Sequence, residues 1–241
     1  MSHPADTRDH LVQKMFDRIA LRYDLLNRVI SFRLDKHWRE ETIAALLKDG
    51  NEIVLDVGTG TGDLAFTAAK RLKQQGCIFG LDFSFRMLTL AKAKRRRVLN
   101  GTRVEFLQGS ALAPPFKDGS FDGLMTAFVL RNISDLGLFF DQAYRLLKPG
   151  GKLVSLDMYP PTGRLFSSLY GMYFHRLMPR IGGFLARDLD AYRYLSDTVR
   201  NFDPPDKIAQ RIRHCGFESV ALRRFLRGAV CLHIASKSLS H

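Results

Sequence analysis

Apolar residues recur at helical spacing through the first fifty positions. In LVQKMFDRIALRYDLLNRVI, Val12, Phe16, Ile19, Ala20 and Tyr23 share one face and charges take the other. From NEIVLDVG onward the rhythm changes to short apolar runs alternating with amphipathic segments. NEIVLDVG predicts a buried strand, and DLAFTAAKRLKQQG a helix stopped at Gly76. CIFGLDFS is a second strand, and Ser84 is the expected N-cap of the helix FRMLTLAKAKRRRVL. RVEFLQGSA and SFDGLMTAFVL are strands three and four. SDLGLFFDQAYRLL is a helix capped by Ser134 and stopped by KPGG, and KLVSLDM is strand five. Positions 160–202 are rich in aromatic residues, Met and Arg, and read as helices and loops laid over the sheet. DPPDKIAQRIRHCGF returns to a helix, and ESVALRRFLRGAVCLHIASKS reads as two antiparallel strands joined near Gly228.

Strands alternating with helices require right-handed crossovers. The expected fold is therefore α/β: a mostly parallel seven-stranded sheet with helices on both faces and an antiparallel finish. The expected organisation is a helical N-terminal extension over residues 1–50, packed on the active site. The sheet domain follows over 51–241, with a helical cap insertion at about 160–203.

At 46% hydrophobic, the 241 residues can bury a substantial core. Three cysteines without paired spacing argue against a disulfide framework or a zinc site and fit a reducing, cytoplasmic compartment. The polar opening MSHPADTRDH lacks the apolar stretch of a secretion signal. No apolar run approaches the roughly 20 residues needed to span a bilayer. The net charge of +13 favours an anionic partner, either a membrane surface or nucleic acid. Its densest cluster, AKAKRRRVL, reads either as a solvated helix end or as an anion-binding site.

The chemistry begins at VLDVGTGTGD. Gly58, Gly60 and Gly62 lie between the first strand and a helix, where the backbone can approach a ligand closely. Asp82 stands 20 residues past Gly62 at the end of the second strand, placed to accept both hydroxyls of a ribose. The spacing is G-x-G-x-G rather than G-x-G-x-x-G. Asp56 and Asp63 flank the glycines, and negative charge there disfavours a pyrophosphate. A phosphate-free cationic adenosyl ligand, S-adenosyl-L-methionine, fits better.

The blocks MFDRIALRYDLLNRVISF, DKHWR, VLDVGTGTGDLA, GLDFS, LRNISD, YRLLKPGGKLV, MPRIGG, AYRYLSDTVR and GAVCLH carry a closer likeness. From about Val12 to Lys237 the chain resembles the class I S-adenosylmethionine-dependent methyltransferases, Rossmann-like enzymes, and most of all the C-methyltransferases of ubiquinone and menaquinone biosynthesis. The resemblance implies a cofactor site made of Asp56, Gly58, Thr59, Gly60, Thr61, Gly62, Asp82, Phe83, Ser110, Ala111 and Ala127. Thr61 would contact the amino-acid end of the cofactor, and Ser110 and Ala111 would bracket the adenine. Leu112 replaces an acidic residue common in the family, and Ala127 stands where some members carry Ser.

The same resemblance implies methylation of a ring carbon of a prenylated quinol, with the naphthoquinol, demethylmenaquinol, favoured. Arg131, Asn132 and Asp157 are then the candidate catalytic residues. A guanidinium is a poor base, so Arg131 suits oxyanion stabilisation and the orientation of a water; the alternative is an ion pair with a nearby Asp such as Asp135. Asn132 would hold that water or the second ring oxygen. Asp157, where the family usually has Glu, is either a base or a strand-end residue bonding turn amides. Tyr23, Phe128 and Tyr194 are candidate substrate contacts, with Tyr192 beside them, and His175 is more simply a packing residue. The segment Leu165–Phe184 suggests an apolar groove for the prenyl tail, with Arg164, Arg176, Arg180 and Arg187 toward lipid phosphates on the inner face of a membrane. A homodimer or an assembly with other quinone-pathway enzymes is compatible with this reading.

An RNA methyltransferase is the rival. It has the charge in its favour, but no separate RNA-binding module is visible, so no nucleic-acid partner is expected. A non-catalytic adaptor is disfavoured by the intact glycines, Asp56 and Asp82.

Overall fold

The computed structural model describes residues 4–98, 100–160 and 189–239. Three helices come first: α1 (Pro4–Ile19), α2 (Tyr23–Ile30) and α3 (Asp35–Leu46), with a 3-10 turn at Ala20–Arg22 breaking the first run. The alternating part follows as β1 (Ile53–Val57), α4 (Asp63–Ala69), β2 (Cys77–Asp82), α5 (Phe85–Arg95), β3 (Val104–Gln108), β4 (Phe121–Ala127), α6 (Leu136–Leu146) and β5 (Leu147–Met158). After it come α7 (Leu189–Arg200), α8 (Pro205–His214), β6 (Ser219–Phe225) and β7 (Val230–Ser236).

The strands form one seven-stranded sheet in the order β3-β2-β1-β4-β5-β7-β6. Pairs among β1 to β5 are parallel, and β7 runs antiparallel to both β5 and β6. Successive strand residues point to opposite faces, so each face needs its own cover. Trp38, Ile43 and Leu46 of α3 join Leu64 and Phe66 of α4 and Leu88 and Ala91 of α5 over one face. Phe139, Phe140 and Ala143 of α6 join Ile208 and Ile212 of α8 over the other. α3 therefore belongs to the sheet's own helical layer, packing on β4, β5 and β7. The strand order turns between β1 and β4, and ligands of open α/β sheets bind outside the strand ends at such a point.

Three local expectations change. The helix after β1 ends at Ala69 rather than near Gly76, because Lys73 donates its amide to Gly50 O at 2.7 Å and the chain turns back early. Gly76 instead allows two backbones to touch: a Cβ there would lie 2.3 Å from Gly50 O. The helix after β2 stops at Arg95, short of the expected Leu99. The cap of α6 is Asp135, not Ser134; the Asp135 carboxylate accepts from the Leu138 amide at 3.0 Å, where its charge also suits the helix dipole. Ser84 caps α5 as expected, accepting from the Met87 amide at 3.1 Å.

Candidate active site

β1 delivers its chain end into the glycine loop. Gly58 has φ +68°, and a Cβ there would fall 2.4 Å from Val129 Cγ2, so only glycine lets the β1 loop sit against the β4 loop. The Gly58 and Thr59 amides donate to Leu81 O at 2.8 and 3.1 Å, tying the loop to the end of β2. Asp82 is buried there. One carboxylate oxygen accepts from the Gly60 amide at 2.7 Å and the other from the Ser84 amide at 2.9 Å. Burial, with Asp17 nearby, raises its pKa to about 6 despite those bonds.

Above these strand ends lies a cavity of about 740 Å³ counting its open mouth. Gly58, Gly60, Asp82, Phe83, Ser110 and Ala111 line it, as do Tyr23, Phe128 and Asn132. Sequence reading missed Phe16, Met87 and Val129, and named Leu112 only as a departure from the family. Phe16 arrives from α1, which Gln13 fastens to the β2 end by donating to Phe83 O at 2.8 Å. Nothing in the local pattern distinguishes Phe16 from a core residue. The cavity fits an adenosyl group. Asp82 accepts from the Gly60, Ser84 and Phe83 amides, and a carboxylate's four lone-pair sites leave room for a ribose hydroxyl, while Leu81, Met87 and Ala111 offer an apolar wall to a flat base.

A second, smaller cavity of about 460 Å³ counting its open mouth lies between α1, α2 and α7. Met15, Ile19, Leu26, Ile30 and Leu195 make it apolar, while Arg131, Asn132 and Tyr194 give it a polar end. Phe16, Tyr23 and Asn132 line both cavities and form their common wall. The Tyr194 hydroxyl donates to Asn132 Oδ1 at 3.3 Å. Burial pushes the Tyr23 phenol above its usual pKa, against the lowering effect of a hydrogen bond with Asn27.

Arg131 and Asp157 meet as a buried pair. The guanidinium Nη1 donates to Asp157 Oδ1, the Arg131 amide to Oδ2 at 3.4 Å, and the Met158 amide to Oδ1 at 2.7 Å. Asp157 is fully buried and lines neither cavity; burial raises its pKa, with Arg131 opposing. Arg131 Nε has no hydrogen-bond partner among the described residues. The Arg131 guanidinium lies 5.9 Å from the centre of the Phe128 ring. Phe128 itself has φ +64°, an uncommon conformation for a non-glycine residue and one that concentrates at functional sites. The alternative of an ion pair with a nearby Asp is thus realised, with Asp157 rather than Asp135, which caps α6.

Other candidates lie behind the cavity wall. The Asp56 carboxylate accepts from Thr59 Oγ1 at 2.7 Å and from the Ala65 amide, so it braces the glycine loop from below. Its burial raises its pKa to about 7. Thr61 donates its hydroxyl to Asp24 of α2 at 2.5 Å, and Thr61, Gly62 and Ala127 do not line the cavity. Asp63 faces away. It pairs with Lys94 at 2.8 Å and lies 3.7 Å from Arg39, cations that hold its carboxyl below the usual range. Its charge is spent inside the protein and cannot repel a pyrophosphate, and Asp56, raised to about 7, is only partly ionised at neutral pH. The discrimination argued from Asp56 and Asp63 therefore falls away, and Asp82 does not replace it, since an acid at that strand end holds the ribose of a dinucleotide as well. Lys94 of the basic cluster also pairs with Asp24, and Arg95 with Glu105 at 2.8 Å. Leu165–Phe184, Arg164, Arg176, Arg180, Arg187 and His175 lie outside the described residues, as does the Tyr192 side chain. Among the described residues no group of three or more His, Cys, Asp or Glu could hold a metal.

Solved structures share the architecture. A SAM-dependent methyltransferase from Thermotoga maritima superposes with a TM-score of 0.67 at 19% identity, covering 93% of this chain and 99% of that one. Phosphoethanolamine N-methyltransferase 2 of Haemonchus contortus, in complex with S-adenosyl-L-methionine, gives 0.59 at 18% identity over 83% of this chain and 52% of that one. Both establish the fold alone. Closer in sequence is the demethylmenaquinone methyltransferase of Lactiplantibacillus plantarum, 38% identical over 95% of this chain and 96% of the relative. The protein of that name from Thermotoga maritima is 42% identical over 88% and 90%. The model of the ubiE/COQ5 methyltransferase family matches residues 4–237, and the chain belongs to that family.

Proposed function

We propose that the protein C-methylates a prenylated quinol ring in menaquinone or ubiquinone biosynthesis, with demethylmenaquinol as the favoured acceptor. S-adenosyl-L-methionine is the cofactor, and when bound it supplies an electrophilic methyl group. The observation that carries the proposal is the pair of cavities separated by Phe16, Tyr23 and Asn132, with Arg131 at the polar end of the second. Asp82 would hold the ribose and the Ser110–Ala111 turn would border the base. The quinol ring would enter the apolar cavity with a hydroxyl toward Arg131 and Asn132.

A ring carbon becomes nucleophilic as the adjacent hydroxyl loses its proton. A guanidinium is a donor and a poor base, so Arg131 favours the phenolate without accepting the proton itself. Asn132, already bonded to Tyr194, fixes the second oxygen or the water that removes the proton. Asp157 is too deeply buried to reach the ring. Its role in this scheme is to aim and fix the guanidinium. Closing the ring between Tyr23 and Tyr194 excludes water and holds the carbon in line with the donor.

A prenylated acceptor lives in lipid, so the proposal includes peripheral contact with an anionic membrane surface. No helix among the described residues is long and apolar enough to cross a membrane. The test is incubation with labelled cofactor and reduced demethylated naphthoquinol or benzoquinol. Label on the ring of one of them is expected; label on neither would overturn the proposal.

A further inference from the structure

Resting on the quinol reading above, we infer that the outer face of α2 and the α2–α3 turn is the surface that meets an anionic lipid bilayer. α2 is apolar on both sides. Leu26 and Ile30 face inward and line the smaller cavity. Leu25 is 48% exposed on the outside, and beside it Leu21 is 70%, Phe32 71% and Leu34 40% exposed. A helix with no fully polar side needs a second apolar neighbour.

Charge selects that neighbour. Residues 21–37 contain two acids, and both are engaged inside the protein: Asp24 with Thr61 and Lys94, and buried Asp35 with Ser31 at 2.8 Å. The exposed charges of the segment are Arg22, Arg28, Arg33 and Lys36, all cationic. Leucines interleaved with exposed cations match acyl chains under anionic headgroups. The turn projecting Phe32 and Arg33 holds both at positive φ, +51° and +65°, two successive non-glycine residues in a disfavoured region.

Cavity size points the same way. Even counting its open mouth the inner cavity holds only about 460 Å³. It seats a ring and the start of a tail, and a longer prenyl chain stays outside. Docking through α2 leaves that chain in the lipid while its ring enters on the other side of the same helix.

The experiment is flotation of the full chain with vesicles of phosphatidylcholine alone or mixed with phosphatidylglycerol, comparing wild type with Leu21→Glu/Leu25→Glu. Wild type is expected to float with the anionic vesicles and to be released by high salt, and the double variant to partition at least about tenfold less. Turnover of a tail-less quinol should stay within about twofold of wild type in that variant, whereas turnover of a vesicle-borne prenylated quinol falls. Arg22→Glu/Arg33→Glu should lose the preference for anionic over neutral vesicles. Equal flotation of wild type and the leucine variant would overturn the inference. So would a wild-type dimer in light scattering that the leucine variant abolishes, because the face would then meet a second copy. Flotation does not depend on catalysis, so failure to methylate any quinol would strike the functional reading and leave the surface to be judged alone.

Discussion

At the scale of single residues, Arg131 and Asp157 show how far local reading reaches. Each was visible as a polar residue at a strand end, but their partnership was not. They are 26 positions apart and meet because β4 and β5 are neighbours with Ala127 opposite Leu156. Removing one member of a buried pair strands the other charge, so Arg131→Ala should cost about 3–5 kcal/mol of stability as well as activity. Arg131→Met/Asp157→Leu removes both charges and should recover most of that stability in urea unfolding. Its turnover should remain about 100-fold or more below wild type while cofactor affinity holds. Wild-type turnover in the double variant would remove Arg131 from the chemistry. Asp82 gives a pH signature. Burial raises its pKa to about 6, and only the carboxylate accepts from a ribose hydroxyl while keeping its amide bonds. Cofactor affinity measured by calorimetry should thus fall as pH drops through about 6, by up to about tenfold per unit. Asp82→Asn should bind more weakly at pH 8 and lose that dependence.

At the scale of elements, the glycine loop was legible because strand, glycines, helix and the Asp82 strand form one local pattern. What Gly58 touches was not legible. Its neighbour Val129 belongs to the loop after β4, and the sequence between them contains three crossovers. Gly58→Ala should cost cofactor binding at least about tenfold, since the methyl collides with both Val129 γ carbons and the backbone has φ +68°. Gly58→Ala/Val129→Ala removes both colliding γ carbons but leaves the Val129 Cβ at 3.2 Å and keeps the backbone strain, so thermal shift with cofactor should show partial rescue. No rescue would mean that backbone conformation alone dictates the glycine. The helix ends were less readable than the helices. Gly76 looks like a C-terminal stop, yet α4 had already ended where a tertiary hydrogen bond to Gly50 turned the chain.

At the scale of the whole molecule, burial charges a cost for the loop brace. Asp56 titrates near 7 when folded and near the ordinary carboxylate value of 3.8 when unfolded. Between those values the folded state holds the extra proton, so this group's stabilising contribution is full below about 4 and is lost as pH rises through about 7. Asp56→Asn should therefore gain stability relative to wild type as pH rises from 5 to 8 in urea unfolding, by a few kcal/mol at most. A constant difference across that range would show that the Asp56 proton is not linked to folding. His233 acts in the opposite sense. Burial lowers its pKa to about 4, so its contribution is lost as pH falls from the ordinary value of 6.5 through about 4. Comparing variants isolates Asp56 from that background.

The sequence by itself determined the order of strands and helices, the parallel crossovers, the antiparallel finish and the glycine-to-Asp82 spacing of an adenosyl site. These depend on periodicity and short-range backbone geometry, which neighbouring residues carry. Tertiary structure alone decided that α3 joins the sheet's layer, that Asp63 is neutralised by Lys94 and Arg39, that Arg131 pairs with Asp157, and that Phe16 and Tyr23 divide two cavities. Each of these brings together side chains from separate elements, and the packing of the two faces sets which of them meet.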